Sequence, residues 1–229
     1  MEVRIATDAL GAAREAAAWC ASALRDAVDR RGRASVASSG GSTPAPMFDA
    51  LVELAVPWSS VTVLQVDERV APDGDPDRNA TELVARLLDP AGVPPSSRLL
   101  MPVTTDDLEA AAADYAALVD DLVPIDVVHL GLGDDGHTAS WPPGDPVVDT
   151  PSWVGLSGVY RGHRRMTLTP AAVNGARSRV VLITGASKAP VVARWLDGDP
   201  TVPVQRVERE STVLFLDEAA APWPTRPHR

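Results

Sequence analysis

Asp126-Val127-Val128-His129-Leu130-Gly131-Leu132-Gly133-Asp134-Asp135-Gly136-His137-Thr138-Ala139-Ser140 is a short apolar run that empties into a glycine-rich turn. The run has the length and composition of a buried strand. The turn after it satisfies the Gly-x-Gly-x-x-Gly spacing of dinucleotide-binding loops, and the match fails on two counts. Asp134 and Asp135 would set carboxylates where a pyrophosphate should lie. Pro142, Pro143 and Gly144 would end the helix that such a loop requires. What remains is a flexible turn that presents His137 beside Asp135, with Gly133 at its centre. An imidazole oriented by a neighbouring carboxylate is a general base suited to neutral pH. An exposed histidine without a role is the plainer alternative.

Working outward from this segment, strand patterns fall at residues 34–38, 61–66, 165–169, 179–184 and 212–216, with 126–130 among them. Helical patterns fall at 9–31, 44–55, 80–88, 105–122 and 188–196. Thr7 or Asp8 caps the first helix and Gly32 ends it, so the chain is expected to begin directly with a helix. Alternation of this kind predicts a Rossmann-like α/β fold, a mainly parallel sheet flanked by helices on both faces. Ligands of such sheets bind beyond the carboxyl ends of the strands. The segments 71–78 and 142–162 read as long binding loops or lids. The chain of 229 residues is expected to form a single domain, with a frayed tail at 222–229.

Two other post-strand turns carry polar chemistry. Ser39-Gly40-Gly41-Ser42-Thr43-Pro44 joins a strand to a helix, with Pro44 suited to the first helical position and Thr43 to the N-cap. Its amides and hydroxyls can hold a phosphate; a plain turn is the alternative. Asp67-Glu68-Arg69 either is a solvated turn or orients a sugar hydroxyl and an oxyanion. Asn79 can cap the next helix or touch a ligand. No metal-ligand spacing such as HExxH or CxxC occurs, and no metal is expected. Cys20, the only cysteine, falls on the apolar face of the first helix and is expected in the core. His129 is likewise assigned to the core.

The charge balance narrows the function. Lys+Arg 21 against Asp+Glu 31 gives a net charge of −10, which disfavours nucleic acid. A local cationic cluster must therefore hold any anionic ligand. Twenty of the cations are arginine and one, Lys188, is lysine, at the start of a helix after a strand. A compact ammonium there suits a phosphate. Arg164, Arg165 and Arg177 lie in the same arginine-rich region. The N-terminus lacks the pattern of a signal peptide and no apolar run reaches the length of a membrane span, so a cytoplasmic protein is expected.

The segments SGGSTP, DER, GLGDDGHTAS, RMTLTP and GASK, spread over residues 39–188, together resemble the 6-phosphogluconolactonase family. The resemblance implies a fold shared with glucosamine-6-phosphate deaminases. It also implies hydrolysis of 6-phosphogluconolactone, a small phosphorylated sugar lactone, without metal or organic cofactor. It assigns His137 as general base with Asp135 beside it, and Asp67 and Arg69 to the pocket near the sugar. Gly40, Gly41, Ser42 and Thr43 would cradle the phosphate, with Lys188 and Arg165 supplying charge. Glu68, Asn79, Gly133 and Arg177 are further candidates for substrate contact. The family's Leu-Phe-Pro-Gly is replaced here by Trp141-Pro142-Pro143-Gly144, and its Ser-Asn by Arg78-Asn79; both changes are expected in the pocket walls. The deaminase pattern has a glutamate five residues after the histidine, where this chain has Pro142, which favours the lactonase. A non-catalytic sugar-phosphate-binding module is the alternative from another class. A monomer or weak homodimer is expected.

Overall fold

A computed structural model describes residues 1–41 and 43–222. Its strands are β1 (Glu2–Ala6), β2 (Ala34–Ser38), β3 (Val61–Gln65), β4 (Asp67–Arg69), β5 (Arg98–Leu99), β6 (Val127–Leu130), β7 (Val154–Tyr160), β8 (His163–Leu168), β9 (Ser178–Ile183) and β10 (Thr212–Asp217). The helices are α1 (Ala9–Arg31), α2 (Ala45–Val52), α3 (Asn79–Leu83), α4 (Leu108–Asp120), α5 (Pro170–Asn174) and α6 (Ala189–Leu196). A seven-stranded sheet runs in the order β1-β10-β9-β6-β2-β3-β5 with every pairing parallel. A three-stranded antiparallel sheet, β4-β8-β7, grows from the carboxyl end of β3.

Side chains alternate between two cores, as the pleat requires. Val36, Val63, Val127, Val180 and Phe215 face a layer built by α1, α2 and α3. Ala37, Leu64, Val128, Val181 and Leu214 face α4, α5, α6 and the inner side of the second sheet. Both faces being covered explains why these strands read as unbroken apolar runs. Asp8 caps α1 by accepting the Gly11 amide at 2.7 Å, and Gly32 closes it in the left-handed region, donating to the Val28 carbonyl. Cys20 and His129 are both core residues.

Several expectations are corrected. The chain opens with a strand, not a helix: β1 pairs in parallel with β10 as an edge. Segment 142–162 holds β7, whose glycines make it read as loop. Gly155 is needed there because a Cβ would lie 2.7 Å from Val147 Cγ2. Pro44 itself occupies the α2 N-cap, with φ −76° and ψ −13°, in place of Thr43. Asn79 opens α3 and does not cap it, and α3 gives way to a π-helical turn over Val84–Leu88. Trp141 lies in the core with its indole N–H on the Leu168 carbonyl at 2.8 Å, so it walls no pocket. Residues 223–229 of the expected tail lie outside the described residues. Among the described residues, no helix is long and apolar enough to cross a membrane.

His129 titrates against this core. Burial pushes its imidazole from 6.5 down to about 4. The unfolded chain therefore takes up a proton that the folded chain refuses between those two values. Stability should fall as pH drops from about 6.5 to about 4. Urea titrations of wild type and His129→Gln across that interval check this, and the variant should show the shallower acid slope. Parallel slopes would remove His129 from the account.

Candidate functional site

The loops after β2, β3, β6 and β9 converge at the carboxyl ends of the large sheet, and the β7–β8 hairpin reaches over them. They enclose an open cleft of about 200 Å³. Gly40, Gly41 and Thr43 line it from the β2 loop, Asp67 and Arg69 from β4, and Asn79 from the start of α3. Gly133 and His137 come from the β6 loop, Arg165 from β8 and Lys188 from the turn before α6. Ser42 lies outside the described residues.

The histidine is held from several sides. Its Nδ1 is 2.6 Å from Asp135 Oδ1, and the Gly133 amide donates to its carbonyl at 2.8 Å. A Cβ on Gly133 would sit 2.0 Å from the imidazole, so that position must lack a side chain. With Nδ1 engaged by a carboxylate, the ring presents Nε2 as the nitrogen available for proton exchange. Asp135 supports His137 from behind and does not line the cleft. Partial burial would raise the Asp135 carboxyl, but hydrogen bonds from Tyr160 and His137 outweigh it and hold the group well below the usual carboxylate range.

Anionic and cationic groups interleave around the cleft. Asp67 is buried and accepts the Ser140 hydroxyl at 2.6 Å. Burial pushes its carboxyl up, against the pull of Ser140, Arg69 and Arg165. Lys188 Nζ pairs with Asp134 Oδ1 at 2.6 Å on the rim, and this contact lowers the Asp134 carboxyl. Arg69 is steadied by the Asp77 carbonyl at 2.7 Å. Buried on the wall, Ser39 Oγ, Asn79 Oδ1 and Arg165 Nε have no hydrogen-bond partner among the described residues. Buried polar atoms without a partner are rare, and here three of them cluster behind the cleft lining.

Two candidates leave the site. Glu68 is fully buried beneath it, accepting the amides of Arg69, Asn79 and Ala80 at 2.7, 2.8 and 2.9 Å. Its charge is spent on the fold. Arg177 sits before β9, at the opposite end of the sheet, 3.2 Å from Asp126. Sequence reasoning did not single out Ser39 within its loop, nor Arg161, both of which line the cleft, and it missed Tyr160, whose hydroxyl lies 2.5 Å from Asp135 Oδ2. Tyr160 is one of only 2 tyrosines, but its separation from Asp135 in the chain hid the contact. Among the described residues, no three His, Cys, Asp or Glu side chains converge as metal ligands.

Fold and cleft together define a class: a Rossmann-like α/β protein whose strand ends combine a cationic, amide-rich rim with a carboxylate-oriented imidazole. The chain belongs to the family described as glucosamine-6-phosphate isomerases/6-phosphogluconolactonase, whose model matches residues 7–216. It is 32% identical over 217 residues to a 6-phosphogluconolactonase of Synechocystis sp., covering 89% of this chain and 90% of that protein. A 6-phosphogluconolactonase of Caulobacter vibrioides is 36% identical over 208 residues, covering 85% of this chain and 87% of that one. The crystal structure of a 6-phosphogluconolactonase from Shewanella baltica matches with a TM-score of 0.88 at 28% identity, over 95% of this chain and 97% of that chain.

The contact of Gly133 with the imidazole is open to a direct check. In Gly133→Ala the ring must leave its carboxylate, and the downfield proton resonance of the Nδ1–Asp135 hydrogen bond should disappear. Gly131→Ala, where a Cβ meets nothing within 4 Å, should keep it. Equal spectra for the two variants would contradict the packing described.

Proposed function

We propose that this chain hydrolyses 6-phosphogluconolactone to 6-phosphogluconate, with His137 as general base. The observation that carries the reading is the imidazole whose Nδ1 is fixed by Asp135 at 2.6 Å while the ring borders a cationic cleft. His137 takes a proton from water as the oxygen attacks lactone C1. Asp135 holds the ring and offsets the charge of the imidazolium. Arg69 or loop amides donate to the tetrahedral oxyanion. The imidazolium then gives its proton to the departing ring oxygen, leaving the free acid and a hydroxyl.

Gly40, Gly41, Ser42 and Thr43 supply the phosphate cradle, and Lys188 and Arg165 its counter-charge. Asp67 receives a sugar hydroxyl, and Asn79 and Ser39 complete the wall. The family's description names two activities, so membership alone does not choose between them. Residue 142 supports the lactonase: a proline there has no group with which to move the protons of a ring-opening isomerisation. Lactone hydrolysis asks only for one base and oxyanion donors.

The test generates the lactone in situ and follows its opening with and without protein. His137→Ala should lower kcat by about 10²–10⁴-fold. Wild-type turnover in a folded His137→Ala would end the general-base reading. Binding of 6-phosphogluconate with no acceleration of lactone opening would favour a binding module. Lys188→Ala should chiefly raise KM, by about tenfold or more, since charge-assisted hydrogen bonds contribute about 1.5–3 kcal/mol. Unchanged kinetics would leave the single lysine without a role in the site.

A further inference from the structure

The hydroxyl of Tyr160 lies 2.5 Å from Asp135 Oδ2, on the carboxylate oxygen that His137 does not use. It also lies 3.2 Å from His137 Nδ1, and the two rings meet edge to face with centroids 5.2 Å apart. Tyr160 ends β7, where a register irregularity between Ser157 and Tyr160 breaks the pairing with β8. Beyond that break Tyr160 still pairs with His163, and its hydroxyl reaches the β6 loop. Two guanidiniums, of Arg161 and Arg165, stand 5.2 Å from the centroid of its ring. The Arg165 guanidinium also donates to the Tyr160 carbonyl at 3.3 Å. The ring is thus held by cation–π contacts on the hairpin and by hydrogen bonding on the loop.

Asp135 is two residues from His137 on a glycine-flanked turn, and it meets the imidazole through only one of its two oxygens. A carboxylate bound through one oxygen can pivot about that contact. Bound through both oxygens, it is fixed in the plane that serves the imidazole. We propose that Tyr160 is a positioning residue for catalysis: by donating to Asp135 Oδ2 it locks the carboxylate that orients His137, and so couples the β7–β8 hairpin to the general base. This rests on the lactonase reading above. Tyr160 can donate throughout the neutral range, because burial and the neighbouring carboxylate push its phenol up to about 12.

The experiment is a kinetic cycle on the intact chain with Tyr160→Phe, Asp135→Asn and the double variant. Phenylalanine keeps the ring, the edge contact and both cation–π contacts, and removes only the hydroxyl. Tyr160→Phe should lower kcat by about tenfold, within the range a misoriented base would lose, and leave KM within about twofold. In the Asp135→Asn background the same change should cost little, because the carboxylate it acts on is gone. Thermal melts of each variant confirm that folded proteins are compared.

Unchanged kcat in Tyr160→Phe would overturn the proposal. So would a rise in KM at constant kcat, which would mark the hydroxyl as a substrate contact. An equal loss with and without Asp135 would show that Tyr160 does not act through it. Should Tyr160→Phe fail to fold, Tyr160→Leu, which offers no hydrogen-bond donor, takes its place under the same criteria. His137→Ala separates the two levels. Wild-type turnover there sinks the general-base reading itself, whereas a deep loss there with a silent Tyr160→Phe sinks only the role of the tyrosine.

Discussion

A carboxylate with no solvent exposure holds the site together. Glu68 sits where β3 has just left the large sheet and β4 begins the small one, and its charge is met entirely by protein donors. Three backbone amides, the Gln65 side chain and the Arg78 guanidinium reach its two oxygens within 2.7–2.9 Å. A buried carboxylate is tolerable only when so fully paired. Pairing fixes the start of α3, whose first two amides it receives. Asn79 is thereby placed to bond the Asp67 carbonyl at 2.8 Å, and Gly40 can approach only because it has no side chain to strike Asn79. One buried charge thus sets the β2 loop, the β4 turn and the helix start against each other. Asp67 and Arg69, its neighbours in the chain, alternate away from it and reach the cleft.

The histidine depends on a different balance. Gly133 and Asp135 are local to its turn, so the loop carries most of its own geometry. The hairpin supplies the rest from more than twenty residues away, through Tyr160 and the arginines beside it. Short-range constraints place the ring, and long-range ones hold the carboxylate behind it. A turn with three glycines is thereby tied at both its backbone and its carboxylate.

The same division explains what could be read from the sequence. Strands β2, β6, β9 and β10 and helix α1 were legible because each is buried on a continuous face, and apolar spacing reports burial directly. The edge strand β1 was not, since Val3 and Ile5 stay part-exposed and alternate with charged residues. β7 was hidden by glycines that serve close packing and not a turn. His137, Asp67 and Lys188 could be singled out because they follow strands. Glu68 and Arg177 also sit close to strands, and there the sequence misleads: which of three adjacent charged residues turns inward depends on α3, and Arg177 precedes its strand instead of following it. Tyr160 carried no local signal, because its partner is reached only through the tertiary fold.

The lone lysine can be understood from its resting partner. Lys188 holds Asp134 at 2.6 Å on the rim, and Asp134 is 64% exposed. An ion pair so open to water contributes little, about 0–1 kcal/mol, and is readily exchanged. An arginine in its place would meet the same carboxylate with a planar fork and two parallel hydrogen bonds, a contact harder to give up. On the proposed function the cationic rim must release its internal carboxylate for an incoming phosphate dianion at each turnover. A flexible ammonium achieves that with a small displacement, whereas the arginines of the cleft are tied by carbonyls or aromatic rings and act as fixed walls. On that reading, a chain that otherwise uses arginine has a physical reason to place lysine at a cation that must change partners.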